Sequence, residues 1–161
     1  MRAMRRTGQE LAGEEAWALL EQGSSGVLAV LGDGDYPYAV PLSYVLYRGK
    51  IYFHCARTGH KIDAIARHEK ASFCVIAQDQ HLPEKFTTLF RSVIVFGRAR
   101  VLTEPEEIRP ILTALGEKYS PGVPGLSEEV EGSLHRVALI ELTPEAVTGK
   151  EAVELTRERR K

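Results

Sequence analysis

The stretch that decides the fold is Ile51–Ala77, IYFHCARTGHKIDAIARHEKASFCVIA. Ile51, Phe53 and Cys55 alternate with Tyr52, His54 and Ala56, the period-two pattern of a half-buried strand. Thr58-Gly59 breaks the run, and His60-Lys61 open a short helix whose Ile62, Ile65 and Ala66 share one face. Lys70–Ala77 then reads as a second strand. A helix start offers free backbone N–H groups and partial positive charge, which suits a phosphate. His60 and Lys61, with Arg57 close by in sequence, make this start a candidate anion socket. The plainer alternative is a helix start carrying two solvated basic residues, and spacing alone leaves both open. Lys61 sits where the helix dipole disfavours a cation unless an anion is present, a local conflict of the kind found at functional sites.

Working outward toward the N-terminus, Arg48-Gly49-Lys50 is a tight turn and Tyr38–Tyr47 a strand. Asp33-Gly34-Asp35 is a hairpin turn joining that strand to Ser25–Leu31. Glu10–Gln22 reads as a helix with Gly23 as its stop. Toward the C-terminus, Gln78–Thr88 is polar and reads as a loop. Phe90–Leu102 is the longest strand-like run, with a bulge or bend expected at Gly97. Pro105–Tyr119 has helical periodicity, with Pro110 expected to kink or delay it. Ser120–Gly125 is a Pro/Gly loop and Ser127–Leu134 a helical turn. Arg136–Leu142 is the last clear strand, extended irregularly by Pro144–Leu155. Several turns are too short for parallel crossovers, so the sheet should be mainly antiparallel. About six strands, one of them long and bent, predict a mainly β protein with helices whose sheet closes into a small barrel.

A chain of 161 residues suits one domain, expected over 1–161 with its core at about 25–155. Its 43% hydrophobic and 27% charged residues are ordinary for a soluble protein, and a net charge near −1 gives no global attraction to nucleic acid or anionic membrane. The basic ends, Arg2-Arg5-Arg6 and Arg157-Arg159-Arg160-Lys161, read as solvated, frayed termini rather than a nucleic-acid contact. No apolar run approaches the ~20 residues that span a bilayer. No secretory signal is evident, and Cys55 and Cys74 both fall in strands, so free thiols and a cytoplasmic location are expected.

Three further features could carry chemistry. Pro41 stands inside YAVPLSYVLY, where its missing N–H should interrupt a ladder. It marks an edge strand or bulge, or it frees backbone around Val40–Ser43 to meet a planar heterocycle, with the Ser43 hydroxyl beside it. His54 is a strand histidine near the socket, structural or facing a ligand. His54, Cys55, His60 and His68 match no zinc spacing, and no metal site is expected. There is no G-x-S-x-G, no Walker A loop, and neither cysteine has an activating partner.

YAVPLSYVLYRGKIYFHCARTGHKIDAIARHEKASFCVIA, followed by FRSVIVFGRARVL and TGKEAVEL, resembles the pyridoxamine 5'-phosphate oxidase-like flavin-binding split barrels. Within them it looks most like the branch named for 5-nitroimidazole resistance, the Nim-type reductases. The likeness runs over roughly Ser25–Leu155. It implies a six-stranded antiparallel split β-barrel that holds FMN at the interface of a homodimer. It also implies that His60 and Lys61 bind the FMN phosphate, and that Val40, Pro41, Leu42 and Ser43 line the isoalloxazine largely through backbone. Ser92 takes the place of a flavin-contacting Gln, and His54 is placed to reach phosphate, flavin or substrate, as a ligand or in catalysis. Vitamin-oxidising members end in an arginine-containing motif that this tail, LTRERRK, lacks. The expectation is an FMN-dependent oxidoreductase on small aromatic acceptors. A non-catalytic flavin-binding or sensing protein, and a split barrel holding haem or deazaflavin, are the alternatives.

Overall fold

In the computed structural model, which describes residues 2–159 and 161, the chain passes from one edge of its sheet to the opposite edge through one residue, Tyr44. The elements run β1 (Glu10–Leu11), α1 (Gly13–Gln22), β2 (Ser25–Leu31), β3 (Pro37–Ser43), β4 (Val45–Tyr47), β5 (Lys50–Ala56) and α2 (His60–Arg67). They continue as β6 (Lys70–Leu82), β7 (Thr87–Leu102), α3 (Pro105–Tyr119), α4 (Leu126–Ser133), β8 (Val137–Glu151) and α5 (Val153–Arg159). The strand order is β3-β2-β6-β7-β8-β5-β4, with β1 added beside β8. Every pairing is antiparallel. Because β3 and β4 end that path yet adjoin in sequence, the sheet has to curl until its edges meet. That curl is the split barrel.

The seam between the edges is polar. Tyr44 is fully buried, and its hydroxyl donates to the Leu20 carbonyl. Its backbone N–H donates to the Tyr119 hydroxyl at 2.9 Å, while Lys118 Nζ donates to the carbonyls of Gly23 at 2.6 Å and Tyr44 at 3.0 Å. The ammonium also lies 4.2 Å from the centre of the Tyr44 ring. Burial lowers the pKa of Lys118 against the opposing pull of Glu21, and burial together with Tyr119 raises that of Tyr44. The last turn of α3 thus ties both sides of the split.

Inward-facing Leu28, Phe53, Phe73, Val95, Ile140 and Leu142 fill the barrel, joined by Ala16 and Leu20 of α1 and Ala64 and Ile65 of α2. A second core lies outside the barrel, where Ile108, Ile111, Leu115 and Val130 of α3 and α4 cover Val45, Tyr52, Leu102 and Leu139. Glu141 is buried beneath that layer. It accepts from Lys50 Nζ at 2.9 Å, the Tyr52 hydroxyl at 2.8 Å and Arg100 Nε at 2.7 Å. Burial opposes its charge, yet Arg100, Lys50 and Tyr52 together bring its pKa down to about 2.

Six strand-forming runs recur as expected, and eight strands result among the described residues. The Tyr38–Tyr47 run divides at Tyr44, and β1 adds a two-residue edge. Gln78–Thr88 is not a loop: β6 and β7 pair from Gln78↔Arg91 out to Leu82↔Thr87, leaving a turn at Pro83–Lys85. Backbone pairing sustains a polar hairpin that periodicity alone could not reveal. The expected irregularity at Gly97 is present, but the extra residue, Glu145, lies on the facing strand, where Phe96 pairs with Ala146 and Gly97 with Pro144. A Cβ at Gly97 would run into the Thr143 carbonyl. Helix α3 runs without interruption through Pro110. The irregular extension expected over Pro144–Leu155 is strand β8 as far as Glu151, paired with β7. The basic tail beyond it is helix α5 rather than frayed, with Arg159 paired to fully buried Glu151 at 2.9 Å and to Glu15 at 2.7 Å. Arg160 of the basic tail lies outside the described residues. None of the helices is long and apolar enough to cross a membrane among the described residues.

Candidate functional site

Strand β3 forms one edge of the sheet, and its alternation settles what each of its residues can offer. Tyr38, Val40 and Leu42 turn inward onto the barrel core, whereas Pro37, Ala39, Pro41 and Ser43 face out and are exposed. Val40 and Leu42 can therefore meet a ligand through backbone only. Pro41 does not interrupt the ladder. It pairs with Val27 without a register shift, as a proline can on an edge strand.

The start of α2 lies beside the first residues of β3. Gly59 has φ 132° and lets the chain turn into the helix. The His60 ring stacks on Tyr38, with centroids 4.1 Å apart and planes 15° apart. Its Nε2 accepts the Asp33 backbone N–H at 3.2 Å, so the neutral ring carries its proton on Nδ1. Gly32 makes room for it, since a Cβ there would stand 3.0 Å from Nε2. The Asp33 carboxylate pairs with Arg67 at 2.6 Å, and those two charges largely cancel. The Lys61 side chain makes no ion pair or hydrogen bond among the described residues and lies close enough to Cys55 to act on its thiol, whose pKa burial raises. The charges at the helix start are thus those of Lys61 and of Asp63, the acidic residue of the first turn. Arg57 takes no part in the socket; it donates to the carbonyls of Leu134 at 3.0 Å, Thr103 at 3.2 Å and Val137 at 3.2 Å.

Ser92 lies on the outer face of β7, in register with Ile76 and Lys150. Three strand spacings, about 14 Å, separate it from β3, so one chain does not bring Ser92 together with Val40–Ser43. The face between them is apolar and open. The rows Pro41–Val27–Cys74–Ile94–Thr148 and Ala39–Ala29–Ser72–Phe96–Ala146 run across five strands, and Val27, Ile94 and Phe96 are 37%, 39% and 40% exposed. Cys74 is a free thiol of raised pKa within this face, the result of its partial burial.

His54 lies on the other side of the seam. Like Tyr52, it points out of the barrel, opposite to Cys55, and with Ser43 it lines a cleft of about 430 Å³ under α3 and α4. Ser43 therefore belongs both to the β3 edge and to this cleft. Sequence reasoning missed Tyr38, Asp33 and Arg67 around the socket and Lys118 and Tyr119 at the seam. Their partners lie 22 to 95 residues away, and only the basic residues in the last turns of α2 and α3, Arg67 and Lys118, left a local trace.

A curled antiparallel barrel with an open apolar face and a basic helix start at its edge strand is a split-barrel protein. The chain belongs to the pyridoxamine 5'-phosphate oxidase family, which residues 13–151 match. Among solved structures, the conserved hypothetical protein Rv2991 of Mycobacterium tuberculosis is similar with a TM-score of 0.82 at 17% identity, over 95% of this chain and 92% of that one. A candidate 5-nitroimidazole antibiotic resistance protein of Bacteroides thetaiotaomicron gives 0.74 at 16% identity, over 88% and 86%. A FAD and haem binding protein of Mycobacterium smegmatis gives 0.74 at 21%, over 91% and 74%. At such identities the likeness speaks for the fold. No curated protein matches the chain.

Proposed function

We propose that this protein is an FMN-dependent oxidoreductase of small aromatic acceptors, a nitroreductase-type activity, and that it works as a homodimer. The observation that carries the reading is Lys61, a cation without an ion pair among the described residues, at the start of α2 and next to the exposed edge strand β3. A phosphate there would meet the Lys61 ammonium, the His60 Nδ1–H and the first N–H groups of the helix. From Tyr38 to Ser43 the edge strand runs about 16 Å, so a mononucleotide anchored at the socket can lay its ring along Val40–Ser43. Bound FMN would supply hydride or single-electron transfer. The protein's part is to bind, orient and exclude water, and this chemistry calls for no side-chain nucleophile.

The open face supports the dimer. Val27, Ile94 and Phe96 form a contiguous apolar surface that a second copy would remove from water. Ser92, remote from β3 within one chain, would then face a flavin held by the partner.

The spectrum and mass of the ligand that co-purifies test this reading: FMN bands support it, and haem or deazaflavin bands overturn it. Lys61→Ala should weaken FMN binding about ten- to hundredfold, the loss of one charge-assisted hydrogen bond of roughly 1.5–3 kcal/mol. Unchanged retention would remove Lys61 from the phosphate site. Oxidation of a reduced pyridine nucleotide in the presence of a nitroaromatic separates an enzyme from a flavin-binding or sensing protein.

A further inference from the structure

The cleft under α3 and α4 is built for a small molecule. Its volume of about 430 Å³ falls in the range of ligand pockets. Leu112, Leu115, Leu126, Val130 and Val137 give it mainly apolar walls, and water in such a space is readily displaced. Gly116 sets its shape, since Leu126 lies where a Cβ on Gly116 would go. Polar groups complete the lining. The Ser43 hydroxyl and the His54 imidazole line the cleft, and neither has a hydrogen-bond partner among the described residues. The hydroxyl of Tyr119, also in the lining, is already engaged by Ser24 and Tyr44. Among the described residues Glu129, which accepts from Ser133 at 3.2 Å, is the one carboxylate of the lining, and no Lys or Arg lines the cleft.

We infer that this cleft binds the reducible substrate, a neutral and largely apolar aromatic molecule with a hydrogen-bond acceptor at the end that meets Ser43 and His54. The inference rests on the flavin reading for the fate of that molecule. Ser43 joins the two sites, being at once the last residue of the edge strand and part of the cleft lining. Glu129 sets the charge preference: with no cation to balance it, an anionic aromatic is repelled.

Methyl-labelled full-length protein titrated with nitrobenzene, followed by NMR, tests this without requiring turnover. Saturable shifts are expected at the methyls of Leu112, Leu126, Val130 and Val137. Shifts confined to other methyls, or none at all, overturn the inference. Ser133→Phe should weaken binding about tenfold by filling the space, whereas Ser133→Ala should bind as the parent does. Should Ser133→Phe fail to fold, Glu129→Trp places the same bulk from an exposed position. Binding unchanged in a folded blocking variant counts against the cleft. 4-Nitrobenzoate should bind about threefold more weakly than nitrobenzene, and Glu129→Gln should close most of that gap; equal binding to the parent refutes the charge preference. Flavin content of the same samples keeps the two readings apart. Flavin without cleft binding defeats this inference alone, and cleft binding without flavin defeats the oxidoreductase reading alone.

Discussion

The curled sheet has two outer regions built from the same strands and finished differently. Toward β4 and β5 it is roofed by α3 and α4, and Tyr52, Leu102 and Leu139 are buried under them. Toward β3 and β2 no helix roofs it; Arg2 and Met4 of the N-terminus lie beside Ser92, Ile94 and Phe96, and Val27, Ile76, Ile94 and Phe96 stay exposed. Strand β7 takes part in both: its outward Leu102 is 3% exposed and its outward Phe96 is 40% exposed. The boundary falls at Phe96/Gly97, where Glu145 of β8 is the unmatched residue. Before it the even-numbered residues of β8 face the barrel, as Ile140 and Leu142 do; after it Val147 and Glu151 do. The difference teaches that outward apolar residues here serve two ends. Under the helices they complete a hydrophobic core within the chain, and on the open side they stay exposed, where the proposed dimer would cover them.

The largest expected effect breaks the boundary itself. Gly97→Ala drives a Cβ into the Thr143 carbonyl, a backbone atom that cannot step aside, and should cost about 3 kcal/mol in urea unfolding. A cost below ~1 kcal/mol would mean that the two strands do not approach so closely at the boundary.

Ile94→Asp sharpens the contrast on the open side. The residue is exposed in one chain, so unfolding stability should change by no more than about 0.5 kcal/mol. Dimerisation, by contrast, should weaken about a hundredfold or more in sedimentation, because the charge would be buried without a partner. A dimer that persists unchanged would place the interface elsewhere.

The smallest of the three concerns the roofed side. Glu141→Ala should cost about 2 kcal/mol; it removes a buried carboxylate, but Lys50 and Arg100, 36% and 58% exposed, regain water. The same group gives an acid signature. Its folded pKa, about 2, lies below the ordinary value of 4.5, so its contribution is full above the ordinary value and is lost as pH falls through about 2. Stability of the parent should therefore drop between roughly pH 5 and pH 2 by more than that of Glu141→Gln. Equal slopes for the two proteins would take Glu141 out of the acid transition.

Local pattern carried much of this fold. Alternation in Ile51–Ala56 and the glycine break before His60 were legible because each depends on neighbours within a few residues. The irregularity at Gly97 was marked by the glycine but is made by Thr143 and Glu145 of the facing strand. The polar hairpin beyond Ala77 and the helix after Glu151 were not, since their stability comes from partners 5 to 144 residues away, such as Thr87 opposite Leu82 and Glu15 on Arg159. The candidate site divides in the same way. Lys61 stands at a helix start that sequence alone could identify, whereas Arg57, its near neighbour, is drawn off to three carbonyls around Leu134.

The sequence by itself determined the strand-forming runs, the short helix with His60 and Lys61 at its mouth, and the order of motifs that places the chain in its family. Tertiary structure alone decided that β3 and β4 are opposite edges meeting at Tyr44, and that His54 opens into a cleft under α3 and α4. The physical reason is that periodicity tells which side of a strand is apolar. Which element comes to cover that side is settled by pairing and packing across the whole chain.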